Sequence, residues 1–101
     1  MDIHVKNENG EVTVTLAGRL DTTTAPALDK TIAEELGGAK TLIFDLKDLA
    51  YTSSAGLRCF LKAQKTMNRQ GSMKLTNVSQ TIMEILEITG FTDFLAVDTQ
   101  E

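Results

Sequence analysis

Ser53 and Ser54 are two adjacent hydroxyls in the segment Ala50-Tyr51-Thr52-Ser53-Ser54-Ala55-Gly56-Leu57. The apolar run Leu42-Ile43-Phe44-Asp45-Leu46 leads towards them, and a long helical pattern leaves them. They are therefore expected at or near a helix N-terminus. Amide donors there lack intrahelical partners, and the macrodipole is positive, so a phosphoryl group would be favourably placed. Two readings stay open on local chemistry alone. In one, a hydroxyl caps the helix, a contribution of ~1 kcal/mol. In the other, a hydroxyl is phosphorylated, which adds roughly −1.5 to −2 charges at neutral pH. A surface tuned to a neutral hydroxyl would not accept that change. Gly56, without a Cβ, would let a partner backbone or a nucleotide approach closely.

Other chemistry is poorly provided for. A serine nucleophile needs a base within hydrogen-bond reach. The single histidine, His4, falls in a short strand pattern at the N-terminus. The surroundings of Ser53 and Ser54 are not Gly-x-Ser-x-Gly. One His and one Cys far apart make no ligand set, and Asp45/Asp48 and Glu34/Glu35 read as solvated positions. No metal, cofactor or Gly-rich phosphate loop is expected. Cys59, early in the helix after Ser54, reads as a small core side chain, and Met67, Met73 and Met83 as core fillers.

The elements that must position this segment follow from periodicity. Ile3 to Lys6 and Glu11 to Ala17 alternate apolar and polar residues around Asn7-Glu8-Asn9-Gly10, a β-hairpin pattern. Gly18 and Asp21 close its second strand. Asp21 or one of Thr22 to Thr24 can cap the next helix, with Pro26 in its first turn and Ala25, Leu28, Ile32 and Leu36 on its apolar face. Gly37-Gly38 ends it. Thr41 to Leu46 reads as a central strand covered on both faces. The next helix spans about Ser54 to Arg69, with Leu57, Phe60, Leu61, Gln64 and Asn68 on one stripe and Gly71 as its stop. Met73 to Val78 is a strand, and Ser79 caps a helix carrying Ile82, Met83, Ile85 and Leu86 that ends at Gly90. Phe94 to Val97 is the last strand. The order β-β-α-β-α-β-α-β predicts an α/β fold, a small mixed sheet packed by helices. If the crossover strands are neighbours, the loops at Asp21, at Ser53-Ser54 and at Asn77-Val78-Ser79 converge on one sheet edge.

At 101 residues, with 42% apolar and 24% charged residues, a single domain over 1–101 with an ordinary core is expected. A net charge of −4, with no run of Lys or Arg longer than a pair, speaks against nucleic acid as a direct partner. No apolar stretch approaches a membrane span, and no secretory signal pattern opens the chain. One unpaired cysteine suits a reducing, cytoplasmic setting.

The segment Asp48 to Leu57 resembles the phosphorylation-site motif of bacterial anti-sigma-factor antagonists of the STAS-domain family. Leu16-Ala17-Gly18-Arg19-Leu20-Asp21 is similar to that family's second-strand ending, and Thr41 to Leu46 to its central strand. Leu75 to Ser79 with Ile85 to Gly90 is similar to its fourth strand and third helix. The resemblance implies the STAS fold and a non-enzymatic partner switch. The unphosphorylated antagonist binds an anti-sigma factor that is also a serine kinase, and this frees a sigma factor. Phosphorylation dissolves the complex, and a PP2C-type phosphatase reverses it. Aligned on Gly56-Leu57, the acceptor falls on Ser54, with Ser53 second, because Ser53 stands where the family often has Asp. The implied partner surface comprises Asp21, Thr22, Thr23, Thr52, Ser53, Ser54, Ala55, Gly56, Leu57 and Arg58 on a protein expected to be a monomer. Many members continue into a C-terminal helix, whereas this chain stops at Glu101. A competing reading is a stand-alone module of the same fold that senses a nucleotide or lipid-related ligand, or serves a transporter or another signalling assembly.

Overall fold

The computed structural model describes residues 1–99. Strand β1 (Asp2–Glu8) pairs antiparallel with β2 (Glu11–Leu20), and helix α1 (Ala25–Glu35) leads to β3 (Thr41–Thr52). Helix α2 (Ser54–Gln70), β4 (Ser72–Val78), α3 (Gln80–Ile88), a 3₁₀ turn (Phe91–Asp93) and β5 (Val97–Thr99) complete the order. The sheet runs β1-β2-β3-β4-β5, with β2 to β5 parallel. This is the α/β architecture that the element order predicts.

Strand β1 is longer than Ile3 to Lys6 because the turn is only Asn9-Gly10. Both residues have positive φ, 51° and 84°, as a two-residue hairpin loop with the twist of its strands requires. Gly18 does not close β2 but sits inside it at φ +101°, where the register with β3 shifts. Strand β3 runs six residues past Leu46, to Thr52. It takes up one extra residue between the pairs Thr15–Asp45 and Ala17–Asp48, and another between Gly18–Leu49 and Arg19–Tyr51. Each bulge re-aims the strand, so that Leu49 and Thr52 again face inward.

The expectation that β3 is covered on both faces is corrected. Leu42, Phe44 and Leu46 are buried, but Thr41, Ile43 and Asp45 alternate with them and are half-buried. The buried residues of β2, β3 and β4 join Leu28 and Ile32 of α1, Phe60 and Met67 of α2, and Ile82 and Leu86 of α3 in one cluster. A period of two in the strands then puts the helices on one face and leaves the other, with Thr13, Thr15 and Lys74, towards solvent. Phe44 and Phe60 meet edge to face at 5.0 Å in the middle of the core.

The apolar side of α2 also differs from the reading above. Cys59, Ala63 and Met67 are buried with Leu57 and Phe60, whereas Asn68 is exposed. The last strand lies later than Phe94 to Val97. Gly90, at φ 77°, turns the chain into the 3₁₀ segment, and Phe94 is 64% exposed.

Candidate functional site

The C-terminal ends of β2 and β3 lie side by side. Leu20 pairs with Thr52, and the Ser53 amide donates to the Leu20 carbonyl at 2.8 Å. This brings the Asp21 loop and the Ser53-Ser54 turn to one place, as the topology predicts. The Asn77-Val78-Ser79 turn does not join them. Pairing of β3 with β4 ends at Asp45–Thr76, and Asn77 Nδ2 donates to Asp45 Oδ1 at 3.0 Å. The rest of β3, roughly 20 Å of extended chain, separates that level from Ser53.

The Asp21 loop is held by its own side chains. Asp21 Oδ1 accepts from the Thr23 hydroxyl at 2.7 Å and from the amides of Thr23 and Thr24 at 3.0 and 3.2 Å. These hydrogen bonds, led by the Thr23 hydroxyl, hold the Asp21 carboxyl below its ordinary value. The Thr24 hydroxyl donates to the Arg19 carbonyl at 3.0 Å, and the Asp21 amide donates back to that hydroxyl at 2.8 Å. Thr24 stands at the N-cap position of α1 with no side-chain cap bond, and Pro26 lies in the first turn. Thr22 and Thr23 are exposed.

The two serines have different environments. Ser53 is the N-cap residue of α2, extended at φ −91° and ψ 177°, yet its side chain makes no cap hydrogen bond. Its Oγ is buried and without a partner. The capping reading therefore fails for α2, in contrast to Ser79, whose hydroxyl accepts from the Ile82 amide at 3.3 Å. Ser54, one residue on, is exposed in the first turn. The Leu57 amide donates to the Ser53 carbonyl as the first helical bond, which leaves the amides of Ser54, Ala55 and Gly56 without helical acceptors.

Three residues expected on the partner surface are buried instead. Thr52 and Leu57 are 1% and 2% exposed, and Gly56 is buried. A Cβ at Gly56 would overlap the Thr52 hydroxyl and come within 2.6 Å of Leu20 Cγ. Gly56 serves the close approach of α2 to the ends of β2 and β3, not that of an outside molecule. The Thr52 hydroxyl donates to the Ser53 carbonyl at 3.2 Å. Ala55 is half-buried against the core, and Arg58 is exposed one turn beyond Ser54.

A pair that sequence reasoning missed flanks this edge. The Arg19 guanidinium lies over the Tyr51 ring at 4.4 Å. Arg19 and Tyr51 are partners in the β2–β3 register, which only the two bulges in β3 bring about. His4 lies opposite Thr15, well back along the sheet, and brings no base to Ser54. Burial, with Asp29 as a lesser cause, pushes the Cys59 thiol up to about 12, so it is no nucleophile here. Among the described residues no three His, Cys, Asp or Glu side chains gather to hold a metal, and no helix is long and apolar enough to cross a membrane.

The family model of the STAS domain matches residues 2–101. The anti-sigma-B factor antagonist of Bacillus subtilis (strain 168) is 30% identical over 101 residues, covering 99% of this chain and 93% of that protein. An anti-sigma factor antagonist from Mycobacterium paratuberculosis superposes with a TM-score of 0.87 at 19% identity, over 96% of this chain and 84% of that one. SpoIIAA, an anti-sigma factor antagonist, superposes in its unphosphorylated form with a TM-score of 0.82 at 19% identity, over 98% and 90% of the two chains. The phosphorylated form of SpoIIAA gives 0.75 at 19% identity, over 98% and 93%. With the fold, the order of elements and nearly the whole length in agreement, this chain belongs to the STAS-domain family.

Proposed function

We propose that this protein is an anti-sigma-factor antagonist whose binding is switched by phosphorylation of Ser54. The observation that carries the site is the contrast between the two serines: Ser54 is exposed at the start of α2, whereas the Ser53 Oγ is buried. A kinase can reach the first and not the second. The unphosphorylated protein, a cytoplasmic monomer, binds an anti-sigma factor with serine kinase activity through Thr22, Thr23, Ser54, Ala55 and Arg58. Asp21, Thr52, Ser53, Gly56 and Leu57 shape that surface from behind. The sigma factor is thereby freed. The kinase then moves the γ-phosphoryl of ATP to Ser54 Oγ, with release of the hydroxyl proton and ADP, and the complex separates. A PP2C-type phosphatase passes the phosphoryl to water as inorganic phosphate and restores the hydroxyl. The chain itself catalyses no step.

Two features support this reading. Relatives named as anti-sigma factor antagonists match along nearly the whole chain, and one of them, SpoIIAA, has a phosphorylated form of the same fold. The free amides and positive end of α2 also accommodate a phosphate without refolding. Incubation with the cognate kinase and ATP, followed by peptide mass spectrometry, is expected to find one phosphate on Ser54. Ser54→Ala should take up none. Equal labelling of Ser54→Ala, or a phosphate on Ser53, sinks the assignment.

A further inference from the structure

The α2 sequence contains four cations, Arg58, Lys62, Lys65 and Arg69, and no Asp or Glu, in a chain whose net charge is −4. All four are exposed, as is Ser54. At 3.6 residues per turn these five side chains fall within roughly 80° of the helix circumference and about 22 Å of its length. Ser54 therefore heads a basic stripe. Lys62 is committed to Asp29 of α1 at 3.4 Å. Arg58 makes no ion pair among the described residues. Within α2, the neighbours of Arg58 three and four residues away are Ser54, Ala55, Leu61 and Lys62, so the helix offers its guanidinium no carboxylate. Arg19, the other cation at this edge, is stacked on Tyr51.

Resting on the reading that Ser54 is the acceptor, we propose that Arg58 is the intramolecular clamp of the phosphate. Side chains four residues apart on a helix are neighbours, with Cβ atoms about 6 Å apart. The planar guanidinium can offer two N–H donors to two phosphate oxygens, while the free amides at the start of α2 serve from the other side. The phosphate then does more than cover a hydroxyl. Arg58 contributes +1 and the phosphate about −2, so the head of the stripe changes from +1 to about −1. A partner that meets a cation beside a neutral hydroxyl in one state meets a net anion in the other. Arg58 is a positioning residue: it orients the phosphate and sets its charge.

The experiment uses the full chain with phosphoserine installed at position 54 by genetic encoding, so that no kinase is needed. The ³¹P chemical shift is followed against pH in the parent, Arg58→Gln, Arg58→Lys and Arg69→Gln. Loss of a cation beside the phosphate favours its monoanion. Arg58→Gln is therefore expected to raise the second phosphate pKa by roughly 0.2–0.4 of a pH unit. Arg58→Lys should restore part of the depression, and high salt should narrow the gap. Arg69→Gln, at the far end of the stripe and still basic elsewhere, should titrate with the parent. A parent-like titration in Arg58→Gln overturns the proposal, as does an equal shift in Arg69→Gln, which would report only general charge. Failure of any kinase to label Ser54 would instead overturn the function proposed above, because the clamp is measured without one.

Discussion

Ser54 is exposed, whereas its neighbour Ser53 is half-buried with its Oγ shut away from solvent. A cap hydroxyl lost to alanine costs ~1 kcal/mol, whereas removal of a buried hydroxyl that makes no hydrogen bond also removes a desolvation penalty. Ser53→Ala is therefore expected to leave urea-unfolding stability unchanged or slightly raised. A loss of the full cap value would show that its Oγ has a partner in solution. Asp21 makes a second residue-scale prediction. Its carboxyl is held below the ordinary 3.8 by the Thr23 hydroxyl and the Thr23 and Thr24 amides. The folded value is the lower one, so its contribution to stability is present above 3.8 and is lost as pH falls through the folded value. A carboxyl-carbon NMR titration should place Asp21 below 3.8, with the Thr23 and Thr24 amides shifting in step. A midpoint at or above the ordinary value would mean that the loop is not closed in this way.

Helix α2 shows how an element turns scattered residues into a surface. Arg58, Lys62, Lys65 and Arg69 are never adjacent in the chain, and a search for runs of like charge passes over them. The helical period gathers them on one side, opposite Phe60, Ala63 and Met67. The whole chain remains acidic, so the stripe is a local feature of one helix. The same element depends on Gly56. With Thr52 and Leu20 against it, Gly56→Ala must move α2 away from the strand ends or displace Leu20. Overpacking of this kind costs about 1–3 kcal/mol. A thermal midpoint lowered by several degrees is expected, together with weaker binding to the proposed kinase partner, because Ser54 rides on the displaced turn. An unchanged midpoint would mean that the contact relaxes freely.

At the scale of the molecule, one apolar cluster joins three helices to one face of the sheet, and Phe60 sits at its centre against Phe44. Phe60→Ala is expected to cost about 3–5 kcal/mol in urea unfolding. It should destabilise the sheet and α2 together, since both lose the same contact. A loss below about 1 kcal/mol would show that the cluster collapses into the gap. The start of α2 stands at the rim of this core. Thr52, Gly56 and Leu57 anchor it to the interior, while Ser54 and Arg58 face solvent beside them.

The element order, the Ser79 cap, the apolar side of α1 and the start of α2 at the two serines were legible in the sequence, because capping, turn chemistry and hydrophobic period are local properties of the chain. The resemblance to STAS antagonists rested on the same segments. Other features arise from contacts between residues far apart in the chain. Ser53 lost its cap role and Gly56 its partner role because the ends of β2 and β3 crowd them from across the sheet. Arg19 met Tyr51 only through two bulges, and a one-residue shift of register changes which side chains face each other. The open face of β3 was hidden because Ile43 is apolar, although no helix covers it. The sequence by itself determined that two adjacent hydroxyls stand at the start of a helix. The tertiary structure decided which of the two faces solvent, because burial depends on what the rest of the chain brings alongside.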